Sequence, residues 1–251
     1  MERITSRKNE KIRHLKKLWT DRVYRYASGE YVCDGWKLLE EATANGAEIT
    51  YVLFSDENEA SRIPDGVPAA LAPYDLIEAV SGMKSPQTVL FSCAIPAPGP
   101  IHGERVLILE TVQDPGNLGT ILRTANAFSI SDVILTGACA DLYNPKTVRA
   151  SMGAIFRQNT VSCTLEALAA LRESGLRILG AALREDAQSI LTADLSASAV
   201  AIGSEGSGLS EELCALCDGF VRIPMSPDCE SLNAGVAASI VMWEMRRGVR
   251  N

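Results

Sequence analysis

Histidine is scarce in this chain, which has only two among its 251 residues. His14 lies in a basic segment near the N terminus, and His102 lies in a stretch rich in proline and glycine. Neither is near the three loops rich in Gly, Ser and Asn that are described below. A Ser-His-Asp hydrolase is therefore disfavoured.

Long apolar runs and targeting signals are also missing. No run approaches the roughly 20 apolar residues of a membrane-spanning helix, and the basic start is not followed by the apolar segment of a secretory signal. We expect no association with a membrane. The seven cysteines are scattered and odd in number, which fits reduced thiols in the cytoplasm better than a disulfide framework.

Common cofactor and metal motifs are absent as well. Cys229 follows Cys214-x-x-Cys217, but no second Cys or His pair completes a zinc site, so we expect structural thiols and no metal. The glycines of AIGSEGSGLS (201–210) do not form G-x-G-x-x-G, and no Lys-Ser/Thr follows them. A phosphate-binding P-loop and a dinucleotide-dependent oxidoreductase are therefore disfavoured.

Positive charge is concentrated at one end of an acidic chain. The net charge is −7, yet residues 1–26 hold nine Lys/Arg against three Asp/Glu, a surplus of six. The remainder must then carry a charge of −13. A basic arm on an acidic body indicates that a polyanion contacts the protein locally, although a solvated helix face has the same pattern.

The order of the predicted elements divides the chain in two. Residues 1–94 predict a small α/β unit that starts with a basic helix over residues 7–27. A helix over residues 36–44, a stop at Gly46 and a strand over residues 49–54 are predicted within it. Three prolines and two glycines make residues 95–103 the candidate linker. In residues 104–251 strands alternate with helices, which is typical of a mostly parallel sheet covered on both sides.

The first polar loop is QDPGNLGTILR (113–123), where a strand ends in a DPGN turn and a helix begins near Asn117. Arg123 lies six residues further on, not far from the same helical face. An arginine there can hold a phosphate or a carboxylate. A plain strand-to-helix turn with a surface arginine is also consistent with this pattern.

The second polar loop is IGSEGSGLS (202–210), where a strand runs into three glycines before a helix opens at Ser210. Glycines let a ligand approach the backbone closely, and Glu205 inside the turn can accept hydrogen bonds. A tight turn without a ligand would use the same residues. Asp114 and Glu205 can also act as a general acid/base pair, but nothing in the sequence fixes their separation.

The third loop joins a strand that ends at Pro224 to the last predicted helix. We expect that helix to open at Ser231, with Ser231 and Asn233 beside N–H groups that have no partner inside the helix. A rigid loop and a polar helix mouth make a candidate ligand platform, while a well-capped helix explains them equally. One face of this helix is predicted to hold Leu232, Val236, Ile240 and Trp243.

Together and in this order, the three loops resemble the three motifs of the SpoU (TrmH-like) branch of the SPOUT methyltransferases. The resemblance spans about Val112 to Trp243 and includes NPKTVRASMGAIF, which lies between the first two motifs. The N-terminal half, with ITSRKNEKIRHLKKL and YVCDGWKLLEEA, resembles the substrate-binding domain often fused to this family. There the usual VEG is replaced by Cys33-Asp34-Gly35.

This resemblance implies transfer of a methyl group from S-adenosylmethionine to a ribose 2'-hydroxyl of RNA. It implies an α/β fold in which residues 104–251 form a SPOUT-type parallel sheet with a deep trefoil knot. Residues 1–94 would form a small α/β/α RNA-binding domain that precedes it. The resemblance also implies a homodimer whose subunits share their sites.

The residues carried over from the family as catalytic are Asn117, Arg123, Glu205, Ser231 and Asn233. The cofactor pocket would be formed by Gly203, Glu205, Gly206, Ile223, Met225, Leu232 and Asn233. We expect Arg123 to steer an RNA phosphate and to stabilise developing charge, because a guanidinium is too basic to act as a base. Ser129 and Gly235, where the family commonly has Gly and Ser, depart from the pattern but replace none of these residues.

Ribosomal RNA is the expected substrate, because relatives that act on tRNA often have only short basic extensions; this is an argument by analogy. Three alternatives stay open. The protein can be a tRNA 2'-O-methyltransferase, an rRNA methyltransferase that protects the ribosome against an antibiotic, or a catalytically silent RNA-binding or ribosome-assembly protein.

Overall fold

The structure is a computed structural model that describes residues 2–83, 85–226, 228 and 231–247. Its strands are β1 (Glu2–Arg3), β2 (Glu30–Asp34), β3 (Ile49–Phe54), β4 (Ala69–Leu71), β5 (Val89–Ala94), β6 (Arg105–Glu110), β7 (Asp132–Thr136), β8 (Asn159–Ser162), β9 (Arg177–Ala181), β10 (Gln188–Ser189), β11 (Ser198–Ile202) and β12 (Gly219–Arg222). Its helices are α1 (Glu10–Thr20), α2 (Arg22–Ser28), α3 (Trp36–Ala44), α4 (Tyr74–Val80), α5 (Pro115–Ala127), α6 (Pro145–Ala150), α7 (Leu165–Glu173), α8 (Glu211–Leu216) and α9 (Ala234–Arg247).

The chain forms two compact units. The first contains the residues up to Ala97 together with Asp141–Phe156, and the second contains Pro98–Ala140 and the residues from Arg157 onward. No helix in the described part of the chain is long and apolar enough to cross a membrane.

The first unit is a three-layered α/β/α structure around a five-stranded sheet in the order β1-β4-β3-β5-β2. Strand β5 runs antiparallel to β2 and β3, and β4 is parallel to β1 and β3. Because side chains alternate across a strand, β2 serves both faces of the sheet. Tyr31 and Cys33 pack with Trp36 of α3, whereas Val32 packs with Leu15 of α1.

The predicted single helix over residues 7–27 is wrong. The structure has two helices, α1 and α2, which break at Asp21, where φ is −123° and ψ is 109°. The Asp21 carboxylate accepts a hydrogen bond from the backbone N–H of Tyr24 at 3.1 Å and so caps the second helix. An internal N-cap residue therefore interrupts the apolar periodicity on which the prediction rested.

The segment from Asp141 to Phe156 joins the first unit through a buried ion pair. Arg25 is 3% exposed and donates from Nε to Asp141 Oδ2 at 3.1 Å. Asp141 also accepts from the Tyr26 hydroxyl at 2.9 Å. Tyr143 and Val148 of this segment enter the core beside Tyr31. Buried charge pairing and apolar burial thus hold it in the first unit, since a lone buried charge would be costly.

The second unit is built on a seven-stranded, fully parallel sheet in the order β10-β12-β9-β11-β6-β7-β8. All five residues of β11 and of β7 are buried, as expected where helices cover both faces. Val106 and Ile108 pack with Leu168 of α7 and Leu213 of α8. Helix α9 packs against α5 and β11. The predicted parallel α/β sheet is therefore confirmed.

The last helix differs from its prediction in two respects. It begins at Ala234 and not at Ser231, and residues 231–233 are not helical. Its buried positions include Ala238, Val241 and Met245. The predicted apolar face does not point into the core: Val236 and Trp243 are 49% and 52% exposed. Of the preceding predicted loop, Pro227, Cys229 and Glu230 lie outside the described residues.

Candidate functional site

Three loops meet at the carboxyl ends of parallel strands in the second unit. The β6–α5 loop and the β11–α8 loop follow adjacent strands, and the β12–α9 loop follows a strand that is paired with β9. In parallel sheets the carboxyl ends of strands share one edge, which is where ligands bind in α/β proteins. The three loops singled out in the sequence therefore lie together.

One carboxylate oxygen of Glu205 connects all three loops. Glu205 Oε1 accepts a hydrogen bond from Asn117 Nδ2 at 2.8 Å and another from Asn233 Nδ2 at 2.8 Å. The backbone N–H of Ala234 donates to the same oxygen at 3.1 Å. Asn233 Nδ2 also donates to Asn117 Oδ1 at 3.1 Å. We call Asn117, Glu205 and Asn233 the amide–carboxylate cluster.

Each asparagine of this cluster is fixed by the start of a helix. The backbone N–H of Asn117 donates to Asp114 Oδ1 at 2.7 Å, which caps α5. Asn233 Oδ1 accepts from the N–H of Gly235 at 3.0 Å and from that of Val236 at 3.2 Å, so Asn233 caps α9. Asn233 is therefore both a helix cap and a member of the cluster, and the two interpretations of this residue are compatible.

The glycines of the second loop form a tight turn. A Cβ atom on Gly203 would lie 2.0 Å from the backbone of Gly208, so only glycine fits at position 203. Ser204 and Gly208 exchange backbone hydrogen bonds of 3.1 and 3.0 Å, and Gly208 has a φ of +67°. A Cβ on Gly206, in contrast, would meet no atom within 4 Å. The lack of space for a side chain thus explains why residue 203 is glycine, but it does not explain the glycine at position 206.

A first cavity of about 480 Å³ lies beside the Glu205 turn. Apolar side chains of Ile223, Met225 and Leu232 line it, together with Leu209. It is also lined by the remaining predicted positions Gly203, Glu205, Gly206 and Ser231. The positions that the resemblance assigned to a cofactor pocket therefore line one cavity. The exception is Asn233, which lies in the adjacent cluster.

A second cavity of about 450 Å³ borders the same turn. It shares Glu205 and Gly206 with the first cavity and is completed by the first loop, from Thr111 to Asp114, and by Asn117. Its lining side chains include the polar groups of Gln113, Asp114 and Asn117. The Glu205 turn thus lines both an apolar cavity and one that is richer in polar side chains.

Arg123 is the predicted site residue that belongs neither to the cluster nor to the lining of a cavity. It lies two turns along α5, is exposed, and lines neither cavity. Its side chain makes no hydrogen bond or ion pair within the described part of the chain. Both histidines are engaged elsewhere: His14 contacts Tyr24 and Glu30, and the His102 backbone bonds Asp132.

Cys214 lies on α8, and Cys217 directly follows the last residue of that helix. Burial raises the pKa of the Cys217 thiol to about 12. No group of three or more potential metal ligands occurs among the described residues. Cys229 lies outside them.

Thr111 lines the second cavity, although no pattern in the sequence singled it out. Thr111 has a φ of +56°, which is a strained conformation for a β-branched side chain. Its hydroxyl is accommodated by Gly137, where a Cβ atom would lie 2.5 Å from Thr111 Oγ1. In the sequence, a threonine directly before VQDPGN does not predict a left-handed backbone conformation.

Comparison with known proteins identifies the family. Residues 104–243 match the model of the SpoU rRNA Methylase family, and residues 9–90 match the MRM3-like substrate binding domain. The first match covers more than half of the chain, so the protein belongs to the SpoU rRNA methylase family. The family predicted from the three loops is therefore confirmed.

Relatives and solved structures agree over almost the full length. A 23S rRNA (guanosine(2553)-2'-O)-methyltransferase of Bacillus subtilis (strain 168) is 32% identical over 248 residues, covering 98% of this chain and 100% of that protein. An AdoMet-bound rRNA methyltransferase from Sinorhizobium meliloti has a TM-score of 0.89 at 27% identity, covering 100% and 99% of the two chains. The SpoU methyltransferase AviRb from Streptomyces viridochromogenes, solved with AdoMet, has a TM-score of 0.84 at 26% identity, covering 96% and 98%.

Replacing Thr111 by glycine should stabilise the second unit by about 1 kcal/mol, because glycine adopts a positive φ without steric cost. Hydrogen exchange of the β6 and β11 amides measures this free energy of unfolding. Thr111→Ala is the matched control, since alanine keeps the unfavourable φ, and we expect no gain from it. A loss of stability in Thr111→Gly would show that the packing of the threonine side chain outweighs the backbone strain.

Proposed function

We propose that this protein transfers a methyl group from S-adenosylmethionine to a ribose 2'-hydroxyl of ribosomal RNA. The observation that carries the proposal is the amide–carboxylate cluster, which joins all three family motifs beside two cavities. The Bacillus subtilis relative named above is a 23S rRNA 2'-O-methyltransferase, and two solved neighbours bind AdoMet. Because these similar proteins come from bacteria, we place this protein in the cytoplasm.

The residues of the first cavity fit S-adenosylmethionine. Its volume of about 480 Å³ lies in the usual range of roughly 300–1,000 Å³ for small-molecule sites. Ile223, Met225 and Leu232 provide an apolar surface for an adenine ring, and the glycine turn offers exposed backbone groups that can bond its edge. The open space at Gly206 leaves room for a ligand against the backbone. The cofactor supplies a methyl group on a positively charged sulfur.

In the proposed mechanism the protein positions the acceptor and stabilises charge. The leaving group is already a good one, so the rate depends on holding the ribose oxygen in line and on its loss of a proton. Asn117, Glu205 and Asn233 fix the geometry of the loops, and Ser231 lies at the wall of the cofactor cavity. The second cavity, with its polar lining, would admit the acceptor nucleotide.

Arg123 would bind an RNA phosphate and stabilise the developing negative charge on the ribose oxygen. Its exposed position outside both cavities of its own subunit is compatible with a role in the site of a partner subunit. Its lack of an ion pair within the described chain leaves the guanidinium available for an anion.

We infer a homodimer that uses the exposed side of α9. Val236 and Trp243 are about half exposed there, and Trp243 stacks edge-on against Phe128 with ring centroids 5.5 Å apart. An apolar stripe of this kind on a helix whose other side is already packed needs a partner. A second copy of the chain would also bring Arg123 of one subunit towards the cavities of the other.

We also propose that the C-terminal segment is knotted. The segment from Ser231 to Ala234 lies against both Asn117 and Glu205, and α9 then packs on α5 and β11. These contacts support passage of the chain end through the loop that contains residues 203–210, as in a deep trefoil knot. An experimental chain trace in which this segment runs outside that loop would contradict the knot.

We propose residues 1–94 as the RNA-binding domain, residues 95–103 as the linker and residues 104–251 as the methyltransferase domain, of which the segment Asp141–Phe156 packs with the first unit. The basic residues on the exposed surface of the first unit include Arg13, Lys16, Lys17 and Arg22. Such residues suit contacts with phosphates, which depend strongly on salt.

The assay for this function incubates the protein with radiolabelled S-adenosylmethionine and either unmodified rRNA or unmodified tRNA, and then maps the label. We expect label on a ribose of rRNA. Arg123→Ala should slow transfer by at least about 100-fold, while calorimetry with S-adenosylhomocysteine should show nearly unchanged cofactor affinity.

Arg177→Ala is the control for this assay, because Arg177 is an exposed arginine at the opposite end of the sheet. Equal loss of transfer and of cofactor affinity in Arg123→Ala would refute the proposed division of roles. Tight cofactor binding without label in any RNA would instead favour a silent RNA-binding protein.

The dimer is tested by sedimentation equilibrium of Trp243→Glu. A charge within the apolar stripe should shift the protein from dimer to monomer, because an unpaired charge is costly to bury in an interface. Leu191→Glu is the matched control, since Leu191 is 59% exposed in the same unit but follows β10 at the edge of the sheet, whereas α9 packs on α5 and β11. A dimer that survives Trp243→Glu unchanged would rule out this face.

A further inference from the structure

Glu110 is a buried carboxylate that none of the three motifs assigns. It is the last residue of β6 and is 7% exposed. Both of its oxygens bind one residue: Oε2 accepts from the backbone N–H of Ser210 at 2.7 Å, and Oε1 accepts from the Ser210 hydroxyl at 2.5 Å. A buried charge is kept only where hydrogen bonds compensate its desolvation, and here Ser210 supplies two.

Ser210 is the point at which the β11–α8 loop becomes a helix. Its hydroxyl oxygen accepts from the backbone N–H of Leu213 at 3.1 Å and so caps α8. The loop before it, from Gly203 to Leu209, lines the first cavity and carries Glu205. Backbone hydrogen bonds between Ser204 and Gly208 close the turn inside this loop. The hydrogen bonds from Ser210 to Glu110 hold the end of the loop that leads into α8.

We propose that Glu110 is a positioning residue for the cofactor site, acting through Ser210 on the loop that carries Glu205. The inference rests on the proposed function, in which this loop lines the S-adenosylmethionine cavity. Strand β6 also leads directly into Asp114 and Asn117. Glu110 thus ties the first loop, which supplies Asn117, to the second, which supplies Glu205.

The geometry argues against a direct chemical role for Glu110. It lines neither cavity, and both carboxylate oxygens are already occupied by Ser210. A carboxylate suits this position because it accepts two bonds, and charge-assisted bonds are stronger than neutral ones. Glutamine of the same shape is neutral and has one acceptor oxygen, which can serve the Ser210 N–H. Its NH₂ group would then face the Ser210 hydroxyl, which could no longer donate to position 110. The loop end would thus lose one of its two charge-assisted bonds and keep the other only as a neutral bond.

The test measures the affinity of the full chain for S-adenosylhomocysteine by isothermal titration calorimetry. We expect Glu110→Gln to weaken binding by about tenfold, in line with the loss of one hydrogen bond to a charged group. Ser210→Ala should weaken it similarly, and the double variant should be little worse than either single one, because both remove the same contact. Ser210→Thr, which keeps the hydroxyl and the N–H, should bind like the wild type.

Glu212→Gln is the matched control, since Glu212 is an exposed carboxylate in the first turn of the same helix. The binding stoichiometry reports the folded fraction, so a merely structural role would lower the stoichiometry and leave the dissociation constant unchanged. Such a result, or wild-type affinity in Glu110→Gln, would overturn the proposal.

If Glu110→Gln does not fold, Ser210→Ala against Ser210→Thr decides the question, and equal affinity of the two would overturn the proposal. Absence of binding by the wild-type protein would be a failure of the proposed function instead. The two failures are therefore distinguishable in one series of titrations.

Discussion

The site depends on one carboxylate oxygen that accepts three hydrogen bonds from two distant parts of the chain. Glu205 Oε1 is the acceptor for Asn117 Nδ2, for Asn233 Nδ2 and for the Ala234 N–H. Asn117 lies in the first turn of α5, and Asn233 and Ala234 form the start of α9, so the position of this oxygen fixes where α5 and α9 begin relative to the glycine turn. Both cavities are bounded by that turn, and their shapes follow from the same contact.

Further contacts hold the two asparagines that donate to this oxygen. Asp114 holds the backbone of Asn117, and Asn233 holds the first N–H groups of α9. Gly203 is required because the returning loop passes over it at Gly208. The polar residues of the motifs are therefore needed for local backbone geometry and for their mutual contacts at once, which explains why each motif alone looks like an ordinary helix cap or turn.

The sequence predicted the elements whose signals are local. Strand β3 and helix α3 have the predicted bounds of residues 49–54 and 36–44, because apolar runs and a Gly46 stop delimit them. The three loops were located because the ends of buried parallel strands must lie at one edge of the sheet. The identity of the cofactor came from resemblance to a family, since no periodicity encodes it.

Contacts between residues far apart in sequence could not be predicted. The two-residue strands β1 and β10 have too few residues for a periodic signal. The pairing of Arg25 with Asp141 spans 116 positions and places the segment from Asp141 to Phe156 in the first unit. In the sequence, Glu110 is only the polar end of an apolar strand, and its hydrogen-bond partner Ser210 lies 100 positions further along the chain. The exposed stripe on α9 has the periodicity of a buried face, and periodicity alone does not tell a core face from an exposed one.

A double-mutant cycle on Asn117 and Asn233 tests most directly whether Glu205 joins the three loops into one unit. The affinity of Asn117→Ala, Asn233→Ala and the double variant for S-adenosylhomocysteine is measured by calorimetry. If the cluster acts as a unit, the loss in the double variant should fall short of the sum of the single losses by about 0.5–3 kcal/mol. Losses that simply add would show that the two asparagines act independently, and would contradict this account of the site.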